Sequence, residues 1–284
     1  MDMPPGLGRP FVAAVLFTAT AMNARRISVL LLLAVALSGC GVARLWEPSR
    51  EEVLDRILPS AVQVVLEQAD GRRVRTGSGV ALASRQVGSR VDCFIVTAGH
   101  TVSGLVGQSQ AYVVFGGQRG SAVKAPATVI AYRDTPEVDL ALLRTESQQC
   151  APARAGGPPL LGESVWVIGF PWGRHMTLTR GIVSQVVMDD DADRATASRL
   201  MVDAPVSYGS SGGGVFEARE GTLIGVVEGY STAKVMSKGA TPAWSIEVPV
   251  PGQTYVTPLS DVKRFLSQTS YADLLADGAA LTGP

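Results

Sequence analysis

The sequence has no net charge: 25 lysines and arginines balance 25 aspartates and glutamates over 284 residues. A chain without a basic excess has no electrostatic footprint for nucleic acid, and that class of partner is set aside. Histidine is scarce, with His100 and His175 the only imidazoles available as bases. Cysteine is nearly as scarce, at Cys40, Cys93 and Cys150. No internal repeat is visible. What the chain has in quantity is glycine (31) and proline (17), against 18% charged residues. That balance fits many short strands joined by turns better than long helices. The length suits one large domain or two small ones.

Long apolar runs are confined to the N-terminal end. Asn23-Ala24-Arg25-Arg26 is a basic lead, Ile27 to Leu37 is almost wholly apolar, and Leu37-Ser38-Gly39-Cys40 follows. This is the layout of an export signal, with a core too short to span a bilayer comfortably. The competing reading is a transmembrane anchor from Phe11 to Leu37. It would bury Arg25 and Arg26 near mid-membrane at about 2.5–3.5 kcal/mol each, so the signal is preferred. Met22 is an alternative start. Removing residues 1–39 takes away three arginines and one aspartate, leaving 22 basic and 24 acidic residues. No polybasic patch then reinforces membrane binding.

With Cys40 set apart, Cys93 and Cys150 remain, and an exported compartment permits a disulfide between them. Such a bridge would contribute about 4 kcal/mol. Alternatively, Cys93 within Val91 to Val96 is a buried strand thiol. Both readings stand.

Ser49, with Glu52 three residues on and Pro59 as a stop, predicts a short helix over 48–58. Six apolar segments follow: Ala61–Leu66, Gly79–Ala83, Phe94–Thr97, Ala111–Phe115, Ala127–Tyr132 and Leu140–Leu143. Turn residues separate them, which predicts a small antiparallel barrel. Residues 151–159, rich in Pro, Ala and Gly, read as a linker. A second series then runs through Ser164–Gly169, Thr177–Val187, Leu200–Val202, Gly214–Phe216, Leu223–Glu228 and Ala243–Val248. Residues 189–198 are polar and acid-rich and read as an exposed loop. Ser260 reads as the N-cap of a closing helix over 261–267. Residues 271–276 form either a loose last helix or a disordered tail.

The chemistry-bearing residues are few. His100 ends the apolar run Phe94 to Gly99, which puts an imidazole at a strand end. His175 follows Gly169-Phe170-Pro171-Trp172-Gly173 and reads as an ordinary loop residue. Asp139 opens the apolar strand Leu140–Leu143 and is the acid best placed to reach an imidazole, with Asp134 and Asp203 as competitors. Tyr208-Gly209-Ser210-Ser211-Gly212-Gly213-Gly214 lies between two strands. It is either a plain glycine-rich turn or a loop that presents one serine beside inward-turned N–H groups.

Together, Thr97-Ala98-Gly99-His100, Asp139-Leu140-Ala141-Leu142 and Gly209-Ser210-Ser211-Gly212-Gly213 resemble the trypsin-like serine proteases. Ser164 to Gly173, Thr179 to Ser184 and Val202-Asp203-Ala204-Pro205 are similar to the HtrA/Deg branch. The resemblance covers residues 50–268. It implies an all-β fold of two six-stranded antiparallel barrels with the site in the cleft between them. It also implies a triad of His100 as base, Asp139 as orienting acid and Ser211 as nucleophile. The Gly209 and Ser211 N–H groups would form the oxyanion hole. No cofactor or metal is implied. Leu37 to Cys40 resembles the lipobox of bacterial lipoproteins, which would make Cys40 the lipidated first residue of the exported chain.

The expected organisation is a signal over 1–39, a tether over 40–50, barrels over 51–155 and 156–268 with a closing helix, and a tail over 269–284. No PDZ domain is expected. Ser210 stands where secreted digestive relatives carry an aspartate, so activation by propeptide cleavage is not expected. Gly214 stands where proline is common, which would loosen the loop. The resemblance also implies an S1 floor near Pro205 and Val206, opposite Val227 to Tyr230, which favours small or medium apolar side chains unless Glu228 points inward. The leading expectation is therefore an exported, lipid-anchored serine endopeptidase acting on proteins or peptides. A homo-oligomer remains open. The alternatives are a non-cleaving double barrel that binds envelope proteins and a purely structural lipoprotein.

Overall fold

The structure, a computed structural model, describes residues 47–103, 105, 109–116, 122–186, 200–237 and 244–275. The leader, the lipobox with Cys40, the acid-rich loop over 189–198 and the end of the tail lie outside these residues. Helix α1 (Arg50–Ile57) has Ser49 as N-cap in a full capping box with Glu52. Ser49 Oγ accepts from the Glu52 N–H while the Glu52 carboxylate accepts from the Ser49 N–H, so two orphan donors are satisfied together.

Strands β1 (Ala61–Glu67), β2 (Arg73–Val87), β3 (Arg90–Thr97), β4 (Gln110–Phe115), β5 (Val123–Asp134) and β6 (Asp139–Glu146) close a barrel in the order β1-β2-β3-β6-β5-β4. The short helix α2 (Gly99–Val102) follows β3. Strands β7 (Ser164–Gly169), β8 (Thr177–Val186), β9 (Leu200–Val202), β10 (Gly214–Glu217), β11 (Leu223–Met236) and β12 (Ser245–Pro258) close a second barrel in the order β10-β11-β12-β9-β8-β7. Helix α3 (Leu259–Ser267) follows, and then a 3₁₀ turn over Ala272–Leu275. Among the described residues no helix is long and apolar enough to cross a membrane.

Several strands read as continuous apolar runs because both of their faces are buried. On β6, Leu140 and Leu142 belong to one core cluster while Ala141 and Leu143 belong to another. Phe94 and Val96 on β3 likewise oppose Cys93 and Ile95. In the second barrel, Trp166 and Ile168 oppose Val165 and Val167. Two clusters fill the barrel interiors, and the third joins the barrels to each other and to α3 through Val262 and Phe265. With successive side chains on opposite faces, one strand serves its own barrel and the seam between barrels.

Helix α1 precedes the first barrel in sequence but docks on the second. Arg56 donates to the Glu220 carbonyl at 2.6 Å, and a side chain at Gly221 would strike Ile57 and Val53. The closing helix differs from its expected start. Ser260 lies inside it, Pro258 occupies the N-cap position with extended backbone, and no side chain caps the helix. The Ser260 hydroxyl is turned to Asp261 instead, at 3.5 Å. Strands β11 and β12 also run well past the ends that their apolar segments define.

Cys93 and Cys150 are joined by a disulfide across a sequence separation of 57. A loop of that size removes enough unfolded-state entropy to be worth about 4 kcal/mol. Replacing both cysteines with alanine should lower the urea-unfolding free energy by about 2–4 kcal/mol. An unchanged denaturation midpoint would contradict this.

Candidate active site

β3 delivers His100 through Ala98 and Gly99, and β6 begins at Asp139. The two side chains meet. The His100 N–H donates to Asp139 Oδ1 at 2.7 Å, and Nδ1 lies 2.6 Å from Oδ2. A carboxylate can only accept, so Nδ1 carries the proton and Nε2 is the basic nitrogen of the neutral ring. Close packing makes this possible: a Cβ at Gly99 would lie 1.9 Å from the Arg133 carbonyl oxygen. Arg75 donates to the His100 carbonyl.

The hydrogen bond to Asp139 raises the His100 pKa above its ordinary 6.5. Burial opposes this, the negative charges of Asp139 and Asp134 add to it, and Arg75 opposes it. The other candidates have different positions. Asp203 accepts from the Ile182 N–H at 2.6 Å. Asp134 ends β5 opposite Asp139. His175 is exposed on the turn before β8.

Ser211 lies on the turn between β9 and β10, and that turn is locked. Gly209 and Gly212 take φ of +91° and +86°, a region that side chains disfavour. A Cβ on Gly212 would sit 2.0 Å from the Ser78 carbonyl oxygen and 3.0 Å from the Ala98 nitrogen. The serine turn therefore packs directly on the residues that lead into His100. The Gly212 N–H donates to Val227 and the Val227 N–H donates to Gly213, both on backbone oxygens.

Among the described residues, the Gly209 and Ser211 N–H groups donate to no protein acceptor. The Ser211 hydroxyl makes no hydrogen bond to His100. Such links often tighten only when substrate is bound. Gly214 is not a loose point. It opens β10, paired with Ile168 and Val226, and a side chain there would strike the Phe216 ring. Ser210 is buried, and its backbone donates to Ser207 and accepts from Gly213.

Ser78, which carries no motif of its own, joins these parts. It is 1% exposed in the middle of β2. Its hydroxyl donates to the Gly209 carbonyl and accepts from the Phe170 N–H, both at 2.8 Å. Its own N–H donates to the Ser211 carbonyl at 2.8 Å. Its carbonyl accepts from Thr97 Oγ1 at 2.7 Å. The one sequence signal that could have found it is Gly77-Ser78-Gly79, small residues where a barrel strand should be bulky.

Trp172 is a second residue that its sequence context does not single out. It has φ of +57°, donates its N–H to the Tyr208 carbonyl at 2.7 Å, and lies against the Tyr208 ring at 5.6 Å. Pro205 and Val206 line a cavity of about 230 Å³ together with Thr177, Thr179 and Ser210. Glu228 accepts from Thr257 at 3.5 Å, across to β12. Among the described residues, no cluster of three His, Cys, Asp or Glu side chains is placed to hold a metal ion.

Residues 77–226 match the trypsin-like peptidase domain family. The magnetosome formation protease MamE of Magnetospirillum gryphiswaldense is 32% identical over 164 residues, 56% of this chain and 20% of that protein. A probable periplasmic serine endoprotease, DegP-like, from a Marinomonas species is 27% identical over 158 residues, 55% of this chain and 30% of that protein. The matched part of the chain thus spans less than a third of the length of these relatives. The crystal structure of the serine endoprotease from Yersinia pestis superposes with a TM-score of 0.56 at 20% identity, covering 81% of this chain and 68% of that one. At that identity the likeness establishes the fold.

Two measurements follow from the site's geometry. His100 should titrate by NMR with a midpoint above 6.5, and Asp139→Asn should lower it. A raised folded-state pKa means that protonation favours the fold. The His100 contribution is therefore complete below about pH 6.5 and is lost as pH rises through the raised value. Ser78→Ala leaves the Gly209 carbonyl and the Phe170 N–H unpartnered in a buried place. It should lower unfolding free energy by about 1–3 kcal/mol, and an unchanged urea midpoint would contradict its place in the seam.

Proposed function

The chain belongs to the trypsin-like peptidase family, and from that premise we propose that it is a serine endopeptidase of HtrA/Deg type. The observation that carries the reading is the His100–Asp139 pair, packed through Ala98 and Gly212 against the turn that holds Ser211. A serine hydroxyl is a weak nucleophile at neutral pH. In the chemistry of a Ser-His-Asp triad, a histidine takes the serine proton during attack and returns one to the leaving amine. His100 fills that role here through Nε2. Asp139 fixes the tautomer by accepting from Nδ1 and stabilises the imidazolium that forms. Ser211 attacks the peptide carbonyl, giving a tetrahedral intermediate and then an acyl-enzyme, which water hydrolyses with His100 again as base.

The Gly209 and Ser211 N–H groups are the proposed oxyanion donors. Among the described residues both lack protein acceptors, so they are available to a developing negative charge. Loss of one such donor typically costs on the order of 10²–10³ in rate. Because His100 must be neutral to act as base, activity should fall on the acid side with a midpoint above 6.5. Protein or peptide chains are the proposed substrates, with a small or medium apolar residue preceding the cut. Export and lipid attachment at Cys40 complete the reading, which would hold the enzyme at the cell envelope. The relative from Marinomonas is named as periplasmic, which agrees with an exported chain.

A fluorophosphonate probe should label the purified protein, and Ser211→Ala should abolish labelling. A folded wild type that stays unlabelled would mark a non-cleaving double barrel instead. Radiolabelled palmitate should enter the wild type and not Cys40→Ser. Incorporation into both would overturn the lipid anchor.

A further inference from the structure

The tryptophan of β7 is flanked by cations. Trp166 is 6% exposed, and the guanidinium carbons of Arg50 and Arg180 lie 5.3 Å and 5.2 Å from its ring centre. Arg180 reaches the ring from the directly opposite position on β8, and Arg50 from the first turn of α1. Both arginines are exposed, and neither makes a hydrogen bond or ion pair among the described residues. The indole N–H of Trp166 is buried without an acceptor. Buried donors are normally paired, and a guanidinium fork matches phosphate oxygens two at a time. Two unpaired forks and one orphaned donor around a single ring suit a phosphate group.

The surface beside this ring is apolar. Ser164 pairs with Ile182 and Trp166 with Arg180, so these four share the outer face of the β7–β8 pair. Val165 and Val167 take the inner face. Just ahead of β7, Leu160 to Glu163 make a tight turn, closed by the Glu163 N–H on the Leu160 carbonyl. Gly162 has φ of +82° there and donates to the carbonyl of Val183, the residue after Ile182. Leu160 is 68%, Leu161 71% and Ile182 41% exposed. The turn's one carboxylate, on Glu163, is taken up by the Leu160 N–H at 3.0 Å.

Phosphate beside exposed aliphatic side chains is the chemistry of a phospholipid surface, where apolar groups enter the acyl boundary and arginines meet headgroups. The chain's own attachment points the same way. Cys40, the proposed lipid-bearing residue, stands nine positions before Ser49. Nine extended residues span at most about 30 Å, so an acyl chain there keeps the start of α1 close to the bilayer. Arg50 is the first residue of that helix. The sequence has no polybasic run, and the fold gathers the two arginines instead.

We propose that Arg50, Arg180 and the Leu160–Leu161 turn form a docking surface for an anionic phospholipid bilayer. The surface fixes which face of the protein meets the membrane, beyond tethering the chain to it. The proposal rests on the reading of Cys40 as the anchor, so its test reads orientation rather than attachment. Full-length protein carrying Leu161→Trp is mixed with vesicles of phosphatidylcholine and phosphatidylglycerol whose acyl chains are brominated. Bromine quenches tryptophan emission only near contact. A second variant, Val87→Trp, puts the same reporter on the first barrel at a side chain that is 41% exposed.

The emission that Leu161→Trp adds to the wild type should be largely quenched, and that added by Val87→Trp should not change. Each arginine at an anionic surface favours binding about fivefold. Arg50→Gln with Arg180→Gln should therefore lower the ratio of docked to undocked protein about thirtyfold and relieve the quenching. Vesicles of phosphatidylcholine alone should relieve it too, with both arginines in place. No quenching of Leu161→Trp, equal quenching of Val87→Trp, or quenching indifferent to the arginines and to lipid charge would overturn the surface. So would inorganic phosphate shifting the Trp166 indole resonance while vesicles quench nothing, which marks a free-anion site. A dimer that Leu160→Ser and Leu161→Ser dissociate would make a second copy the occupant and overturn it as well. Palmitate entering Cys40→Ser counts against the anchor by itself, and the quenching still decides the surface.

Discussion

Ser78 holds the centre of the molecule. From one buried position on β2 it bonds to Thr97, which leads into His100, to Gly209 and Ser211 on the serine turn, and to Phe170 after β7. These four hydrogen bonds tie elements of both barrels at one residue. Polar atoms this deeply buried are costly unless satisfied, so the arrangement tolerates little drift. The positions of His100 and Ser211 are set by the same strand.

That seam depends in turn on the way the strands divide their side chains. β3, β6, β7 and β10 each bury one face in a barrel and the other between barrels. The interbarrel cluster also takes in α1 and α3, so the first and last α-helices among the described residues brace the joint. β11 and β12 keep this pattern inside the barrel. Beyond Val227 and before Thr254 the covering strands stop, and the same alternation leaves an apolar face in water.

Much of this was legible in the sequence, for physical reasons. Short apolar runs between glycine and proline turns located strands in both barrels. The capping box marked α1, and a serine among glycines marked the turn with Ser211. Strand ends made Asp139 the best-placed acid for His100 but left Asp134 and Asp203 open, the resemblance implied the pair, and packing at Gly99 shows how closely the two approach. Ser78 was hidden because a small polar residue in a strand has no periodic signature, and its partners lie from 19 to 133 positions away. The full length of β11 was hidden because Ser231, Thr232 and Lys234 interrupt the apolar run. Ser260 misled because a good capping residue placed late, inside the first turn, still looks like a cap.

The central claim is that His100 and Ser211 act as one catalytic unit. Its most direct test is kcat/KM on one peptide substrate for Ser211→Ala, His100→Ala and the double variant. Groups that work together are strongly non-additive. The account predicts that the double variant loses about as much as either single one. Losses that multiply, or a single variant that retains most of its activity, would contradict it.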